Sequence, residues 1–228
     1  MKKHVFFSEL AYVVGLLTLA LGTVLMERAD FGMSMVVAPA YVIHRKVSET
    51  LPFFTFGMSE YVFQAGLLLL LTLALRKFRP GVLFSFVTAV LYGLALDLTI
   101  RLLAPLPVDG MAARVICYAA GMAVCAFAVS CLFHTYLPPE AYELVVRELA
   151  ARRGWEIHRV KTVYDLCSAL LGVVLSFVFF GFGHFEGVKW GTLLCAAVNG
   201  FLIRLCSRLL ESRFEFRDAL PWRRFFRG

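Results

Sequence analysis

The sequence predicts an all-α, polytopic membrane protein with about six transmembrane helices arranged as two inverted three-helix repeats. Three observations support this fold class. Hydrophobic residues make up 60% of the 228 residues and charged residues only 17%, which is more apolar surface than a soluble core of this size can bury. The apolar residues also gather in stretches long enough to cross a bilayer. A pattern near the end of the third stretch recurs near the end of the sixth.

Six stretches approach the roughly 20 residues that a helix needs to cross the hydrocarbon core. They cover residues 7–26, 58–75, 82–103, 111–133, 163–183 and 188–210. These stretches do not alternate polar and apolar residues, as the strands of a membrane β-barrel do. The first apolar run reaches Met26 without a small-residue cleavage site. We therefore interpret it as an uncleaved span rather than a secretory signal.

The repeat consists of a glycine, a charged residue four positions later, an arginine after four more, and two leucines. It comprises Gly93, Asp97, Arg101, Leu102 and Leu103, and then Gly200, Arg204, Arg208, Leu209 and Leu210. Three crossings per half place the halves in opposite orientations, as in many secondary transporters. We therefore predict one transmembrane domain over residues 1–228, with repeat one at about 7–103, repeat two at about 110–210 and a basic, aromatic tail at 211–228.

Each half also contains a short element between its first and second spans. Residues 30–42 are interrupted by Gly32 and Pro39 and are too short to cross. Residues 138–153 predict an amphipathic helix with Ala141, Leu144, Val145 and Leu149 on one face, and with Glu143–Arg147 and Glu148–Arg152 spaced as i, i+4 pairs. This helix is expected to lie on, or to be tucked into, the cytoplasmic boundary, either as a gate or as a surface connector.

The net charge of +7 is best explained by membrane orientation. If the amino terminus is cytoplasmic, the inside segments hold most of the Lys and Arg residues, and the outside segments hold only Arg28, Arg45, Lys46, Arg114 and Lys189. This bias predicts that both termini are cytoplasmic. The arginines and aromatic residues of the tail favour an anchor on anionic lipid over stacking on nucleic acid. We thus expect membrane lipids, and no nucleic acid, as partners.

Motifs of soluble enzymes are missing from the chain. The sequence contains no G-x-x-x-x-G-K-[ST], G-x-S-x-G, H-E-x-x-H or G-x-G-x-x-G. Its six cysteines all fall in predicted spans, without a C-x-x-C pair or a histidine at metal-ligand spacing. We interpret them as small packing residues. The sequence therefore predicts no enzymatic activity, no metal site and no cofactor.

Polar side chains within the spans are the candidate ligands for a solute or a coupling ion, because an ionised group at mid-bilayer costs about 2.5 to 3.5 kcal/mol. The candidates are Glu60, Asp97, Asp165, Arg204, Gln64, Asn199 and Thr192. An offset of about 105 residues relates Glu60 to Asp165, and an offset of 107 relates Asp97 to Arg204. We expect Glu60 and Asp165 to matter most, because carboxylates are too short to reach far toward the headgroups.

A structural interpretation of the same residues stays open. Arg204 can extend its long side chain toward the membrane interface at small cost. Asp165 can form an ion pair with Arg204, and Asp97 can pair with Arg101 one turn away. Gln64 and Asn199 can either bind a ligand or tie helices together. Thr192 belongs to a group of small residues at helical spacing, which membrane helices use for close packing.

Several short segments occur in a distinctive order. They are Gly22, Ala29–Ser34, Phe56-Gly57, Gly93–Asp97, Pro139-Glu140, Gly191-Thr192 and Asn199-Gly200. In these segments the chain resembles the YitT/YczE group of bacterial integral membrane proteins. It departs from the group at residues 35–37, where Met-Val-Val replaces the usual Pro-Trp-Asp. The resemblance implies a multi-pass protein of the bacterial cytoplasmic membrane, and it implies no particular activity.

Two functions remain in view. The first is a small-solute secondary transporter or permease with a site between the inverted repeats. The alternative is a non-transporting membrane scaffold or regulatory protein that supports a partner complex. Convergence of Glu60, Asp97 and Asp165 on one water-accessible cavity would favour the transporter, and dispersal of these residues would favour the alternative.

Overall fold

Eight helices and one pair of short strands make up residues 4–76 and 80–220, which the computed structural model describes. The helices are α1 (Ser8–Ala29), α2 (Ala38–Val47), α3 (Phe56–Leu75), α4 (Pro80–Leu103), α5 (Gly110–Phe133), α6 (Ala141–Arg153), α7 (Ile157–Phe180) and α8 (Trp190–Arg213). Six of them, all except α2 and α6, are long and apolar enough to cross a membrane. The predicted all-α class and the six spans are confirmed.

The two ends of the described chain meet on one face of the bundle. Strand β1 (His4–Phe7) pairs in parallel with β2 (Phe214–Arg217). Just beyond β1, the Glu9 carboxylate accepts hydrogen bonds from the Tyr136 hydroxyl (2.6 Å) and from the backbone N–H of Ala219 (3.0 Å). We call this face the terminal face and the other the opposite face. The predicted basic residues at 2–3 and 77–79, and residues 221–228 of the tail, lie outside the described residues.

The predicted boundaries of the fifth span need correction. Helix α7 begins at Ile157, six residues before the predicted start, and ends at Phe180, three residues before the predicted end. It ends there because Gly181 and Gly183 have φ angles of 95° and 91°, a conformation that is outside the helical region and that glycine adopts without strain. It starts early because its charged first turns pack against α6.

Helix contacts recur when α1–α4 are exchanged for α5–α8. Helices α1 and α5 cross each other with their backbones close together at Gly22 and Gly121. The α1–α4 contact corresponds to α5–α8, the α2–α3 contact to α6–α7, and the α2–α7 contact to α6–α3. This pairing is what two inverted repeats require. Two contacts break the pattern in the described residues. Helix α3 packs along α4 whereas α7 and α8 barely touch, and α6 contacts α4 whereas α2 has no comparable contact with α8. The repeat boundaries themselves stay a prediction.

The two short helices enter the bundle from opposite faces. The start of α2 lies beside Gly172, which is eight residues, or about 12 Å at the helical rise, from the opposite-face end of α7. The start of α6 lies beside Gln64, which is about 16 Å from the terminal-face end of α3. The hydrocarbon core is about 30 Å thick. Both N-termini therefore lie inside the bundle, whereas both C-termini lie near its faces.

Of the two predicted positions of α6, on the boundary or tucked into it, this insertion favours the second. Its buried face includes Tyr142, Val146 and Ala150, whereas Leu149, which was predicted to face inward, is 38% exposed. The predicted Glu143–Arg147 pairing is also replaced, because Glu143 pairs with Lys161 of α7 at 2.7 Å. A helix along a membrane surface would bury one face only. Helix α6 instead contacts α3, α4 and α7.

Helices α3 and α4 come closest at Gly57 and Gly93. A Cβ atom on Gly57 would overlap the carbonyl oxygen of Gly93 and lie 2.7 Å from the Asp97 carboxylate. We expect Gly57→Ala to lower the stability of the protein by about 1–3 kcal/mol or more, because an added methyl overpacks two backbones that cannot easily move. The melting temperature of purified protein in detergent measures this loss.

The matched control is Gly66→Ala, in the same helix, where an added Cβ atom meets nothing within 4 Å. Alanine favours a helix over glycine by about 0.5–1 kcal/mol, so this variant should melt at or slightly above the wild-type temperature. Equal losses in the two variants would contradict the close approach of α3 and α4.

Candidate functional site

A polar cluster surrounds the N-terminus of α6 inside the bundle. We call it the tip site and define it as Glu60, Gln64, Glu140 and Tyr142. Glu60 and Gln64 have no solvent-exposed surface, and Glu140 and Tyr142 are 7% and 2% exposed. The Glu60 Oε2 atom accepts hydrogen bonds from the Tyr142 hydroxyl (2.8 Å) and from Gln64 Nε2 (3.2 Å). Residues from α3 and α6 thus form one hydrogen-bonded group.

The chain before α6 explains how this N-terminus reaches the interior. Pro138 and Pro139 cannot continue a helix and donate no backbone hydrogen bond, so only their carbonyl groups need partners. Thr88 of α4 donates to the Pro138 carbonyl (3.1 Å), and Ser85 donates to the Pro139 carbonyl. The Ala141 N–H, at the start of the helix, donates to Gln64 Oε1 (3.1 Å). Hydroxyl and amide groups of α3 and α4 therefore satisfy backbone groups that water cannot reach.

Two carboxylate oxygens of the tip site are buried without a hydrogen-bond partner among the described residues. They are Oε1 of Glu60 and Oε1 of Glu140. Burial raises the pKa of Glu140 well above its ordinary value, and the neighbouring carboxylates of Glu60 and Glu143 raise it further. Burial and the Glu60 carboxylate raise the pKa of Tyr142 as well. The carboxyl groups of Glu60 and Glu140 are therefore suited to binding a proton or another cation.

Asp165 lies next to the tip site but in a separate network. Lys161 lies 2.7 Å from Glu143 Oε1 and 3.1 Å from Asp165 Oδ1. The expected partner of Asp165 was Arg204. In the described residues Arg204 is exposed on α8 without an ion pair, and Lys161 takes the place that was expected for it. The reason is that α7 and α8 barely touch, so a residue of α8 does not reach the start of α7.

Asp97 connects the end of α4 to the start of α3. Its carboxylate accepts hydrogen bonds from the Thr55 hydroxyl (2.6 Å) and from the Gly57 N–H (2.8 Å). Among the described residues it forms no ion pair with Arg101, the partner expected from spacing alone. An acceptor with a negative charge stabilises the N-terminus of a helix, where N–H groups lack partners. Asp97 thus has a structural role in holding α3 and α4 together.

Thr192 and Asn199 lie on α8, away from the tip site. The Thr192 hydroxyl accepts from the Lys189 N–H (3.3 Å) at the start of α8 and is fully buried. This start packs on the first loop, where the Gly191 N–H donates to the Phe31 carbonyl (2.8 Å) and Lys189 pairs with Asp30. Asn199 Oδ1 is buried without a hydrogen-bond partner in the described part of the chain. Thr192 therefore acts in helix capping, whereas Asn199 keeps an unused acceptor.

The three predicted carboxylates lie at three different helix junctions. Glu60 contacts α6, Asp97 caps α3, and Asp165 pairs within α7. A recess of about 330 Å³ lies between α5, α8 and β2, and one of about 10 Å³ lies beneath the first loop. None of the three carboxylates lines either recess. The structure thus brings together Glu60 and Gln64 from the predicted set, and it separates them from Asp97 and Asp165.

Sequence reasoning did not select Glu140 or Tyr142 as site residues. One signal was available, because an acidic residue directly after Pro138-Pro139 stands at the start of a helix that prolines introduce. Its burial beside Glu60 could not be foreseen, since the sequence did not show which span the helix packs against. The position of α6 against α3 is what turns Glu140 from a surface residue into a partner of Glu60.

A family model described as a family of unknown function (DUF6198) matches residues 6–208. No curated protein and no solved structure matches the chain. The matched residues cover all six spans and both short helices up to the last turns of α8. The family description does not mention YitT/YczE, so that resemblance stays a prediction.

We expect Asp97→Ala to lower the stability of the protein by about 1.5–3 kcal/mol, because it removes two hydrogen bonds to a charged acceptor and leaves their donors unpaired. The control is Asp109→Ala at the N-cap position of α5, where the exposed side chain makes no capping hydrogen bond. Melting temperatures in detergent compare the two variants. If Asp97→Ala melts at the wild-type temperature, the capping role is wrong.

Proposed function

The chain belongs to DUF6198, a family of unknown function, and we propose from its own geometry that it is a small-solute secondary transporter or permease. The solute path would lie between the two repeats, with the tip site beside it. Support comes from the architecture of the bundle and from the chemistry of the α6 N-terminus. Membrane lipids and the solute would be its partners.

The observation that carries this proposal is the pair of short helices that enter from opposite faces and begin inside the bundle. Many transporters place the N-termini of discontinuous helices near the bilayer midplane, where their partial positive charge faces the substrate or its counter-ion. Irregular backbone inside a membrane is tolerated only where protein or a cavity satisfies it. An alternating-access transporter would use such helices beside its solute path.

The N-termini of α2 and α6, which we call the α2 tip and the α6 tip, differ in chemistry, so we propose different roles for them. The α2 tip is formed by Ala38, Pro39 and Ala40, all of them buried. Its Ala40 carbonyl accepts a hydrogen bond from Ser59 of α3 (2.6 Å). The α6 tip holds the unpartnered carboxyl oxygens instead. We assign packing around the solute to the α2 tip and ion binding to the α6 tip.

The alternative is a non-transporting scaffold or regulatory protein. Two observations favour it. Glu60, Asp97 and Asp165 are dispersed and line neither recess, and α7 and α8 carry a wide apolar surface that includes Leu166, Leu170, Val178, Leu193 and Phe201. These two helices bury far less of themselves within the bundle than the other four spans do. A partner helix could cover this surface. Lipid covers it equally well, because an apolar surface needs no partner within a bilayer.

We place the protein in the bacterial cytoplasmic membrane with the terminal face toward the cytoplasm. The terminal face carries Arg152 and Arg153 at the end of α6, Arg159 in the first turn of α7, Arg213 at the end of α8 and Arg217 at the end of β2. Fewer basic residues lie at the opposite face. An excess of Lys and Arg near span ends marks the cytoplasmic side.

Uptake of an untargeted metabolite mixture into proteoliposomes tests the transporter proposal. The wild-type protein should accumulate at least one small solute, and Glu60→Gln should abolish that uptake while keeping the wild-type fold, because the amide preserves shape and removes the charge. The control is Glu49→Gln at the exposed Lys46–Glu49 pair, which should keep full uptake. Folded wild-type protein that accumulates nothing from the mixture would favour the scaffold.

Cysteine labelling in intact cells tests the orientation. In a variant without the six native cysteines, Trp155→Cys on the terminal face should react only after the membrane is permeabilised. Phe182→Cys, on the opposite face, should react with an impermeant reagent at once. Both side chains are accessible, at 60% and 91% exposed. The reverse pattern of labelling would refute the positive-inside assignment.

A further inference from the structure

The interior between α3, α6 and α7 contains more carboxyl groups than cations. Four carboxyl groups lie there, from Glu60, Glu140, Glu143 and Asp165, beside the single ammonium group of Lys161. Four negative charges and one positive charge leave a formal deficit of three if every group is ionised. A low-dielectric interior does not hold such a deficit, so protons or bound cations must reduce it.

Lys161 does not serve the tip site directly. Its ammonium group lies within ion-pair distance of Glu143 (2.7 Å) and Asp165 (3.1 Å). No other Lys or Arg forms an ion pair or hydrogen bond with Glu60 or Glu140 among the described residues. Glu60 and Glu140 are therefore two neighbouring carboxyl groups without a counter-ion from the protein.

The hydrogen bonds show which member of the pair holds the negative charge. Glu60 accepts from two donors, the Tyr142 hydroxyl and the Gln64 amide, and donors to a carboxylate stabilise its charged form. No hydrogen bond to the Glu140 side chain is present in the described part of the chain, and Glu140 Oε1 is buried. Burial and the neighbouring Glu60 carboxylate both raise the pKa of Glu140, which disfavours a second negative charge beside the first. The charge thus belongs on Glu60 and the proton on Glu140.

We propose that Glu60 and Glu140 form a proton-binding pair, and that the proton they hold is the coupling ion of the transporter. The role of the proton as coupling ion rests on the proposed function, whereas proton binding by the pair does not. Release transfers the Glu140 hydroxyl proton to water and leaves two carboxylates side by side. Rebinding takes a proton from water and restores the single charge. No other bond forms or breaks.

Release of the proton also affects the position of α6. The tip is held by hydrogen bonds from Ser85 and Thr88 to the two proline carbonyls and by the bond between Gln64 and the Ala141 N–H. A second charge at Glu140 repels Glu60 across this contact and favours hydration of the tip. The protonated pair therefore keeps α6 inserted, and the ionised pair favours its withdrawal toward the terminal face.

Other titratable groups surround the pair, and they set the conditions for its titration. They are Tyr12 from α1, Tyr92 from α4, Cys125 from α5, Tyr142 and Glu143 from α6, and Lys161, Tyr164 and Asp165 from α7. The hydroxyl and thiol groups are neutral near pH 7. Lys161 forms ion pairs with Glu143 and Asp165 and with neither member of the pair.

Infrared spectroscopy of the purified protein, without any solute, tests the proton. The wild-type protein at neutral pH should show the carbonyl band of a buried, protonated carboxylic acid, and the band should disappear as the pH rises. Glu140→Gln should remove this band, and Glu60→Gln should alter or shift its titration. Glu156→Gln, at the exposed Glu156–Arg159 pair, is the control and should leave the band unchanged. A wild-type spectrum without a protonated carboxyl band would overturn the proposal.

Thermal unfolding gives a second readout that does not depend on assigning a band. The folded state binds a proton at Glu140 that the unfolded chain releases above its ordinary pKa of about 4.3. Stability should therefore be greatest below that value and fall as the pH rises through the raised pKa of folded Glu140. The melting temperature of Glu140→Gln should lack this fall, whereas Glu156→Gln should keep it. A fall of equal size in Glu140→Gln and wild type would contradict the assignment.

Sodium and potassium provide the competing outcome. Either ion, added at constant pH, should leave the band and the melting temperature of the wild-type protein unchanged. Loss of the band on addition of one ion, with release of a proton, would show a metal-cation site and overturn the proton assignment. These results are independent of uptake. If the pair titrates but the protein transports nothing, the proton site stands and the transporter proposal is refuted. If the protein takes up a solute but the pair does not titrate, the transporter proposal stands and the proton site is refuted.

Discussion

The need to satisfy polar backbone groups inside a membrane governs the architecture of this protein. A helix that begins inside a bilayer exposes N–H groups that neither lipid nor its own turns can satisfy. At α6, Gln64 of α3 accepts a hydrogen bond from the Ala141 N–H, and Ser85 and Thr88 of α4 donate to the carbonyl groups of the two prolines that precede the helix. These polar residues would be costly in the middle of ordinary spans. Their presence and the insertion of α6 thus depend on each other.

The same need explains why α3 and α4 pack more closely than any other described spans that follow each other along the chain. Both helices supply partners to the α6 tip, so their relative position must be fixed. Close backbone approach at Gly57 and Gly93 and the Asp97 bridge to the Gly57 N–H provide that fixation. The corresponding pair in the second half, α7 and α8, has no inserted tip to serve between its members and barely makes contact. The asymmetry between the halves follows from where α6 inserts.

The sequence predicted much of the fold and less of the site, for physical reasons. Span number follows from apolar length, a property of each segment alone, and the structure confirms it. The burial of Glu60 and Gln64 could be anticipated because short polar side chains within a span rarely face lipid. The partner of Asp165 could not be anticipated. Lys161 lies on the same helix as Asp165, whereas the expected partner, Arg204, lies on a helix that barely contacts α7. Glu140 was not selected because its burial beside Glu60 depends on α3, a helix distant in sequence.

The paired strands on the terminal face constrain how the molecule is assembled. β1 precedes the first span, and β2 follows the last, so the register of His4 with Phe214 joins residues about 210 positions apart. β1 therefore remains unpaired during membrane insertion until α8 has entered the bilayer. The Phe6 ring then packs on Phe214 and Phe216, with centroid distances of 5.4 and 5.7 Å. Pairing of β1 with β2 is therefore among the last steps of biogenesis. It distinguishes a completely inserted chain from one in which a span has failed to insert.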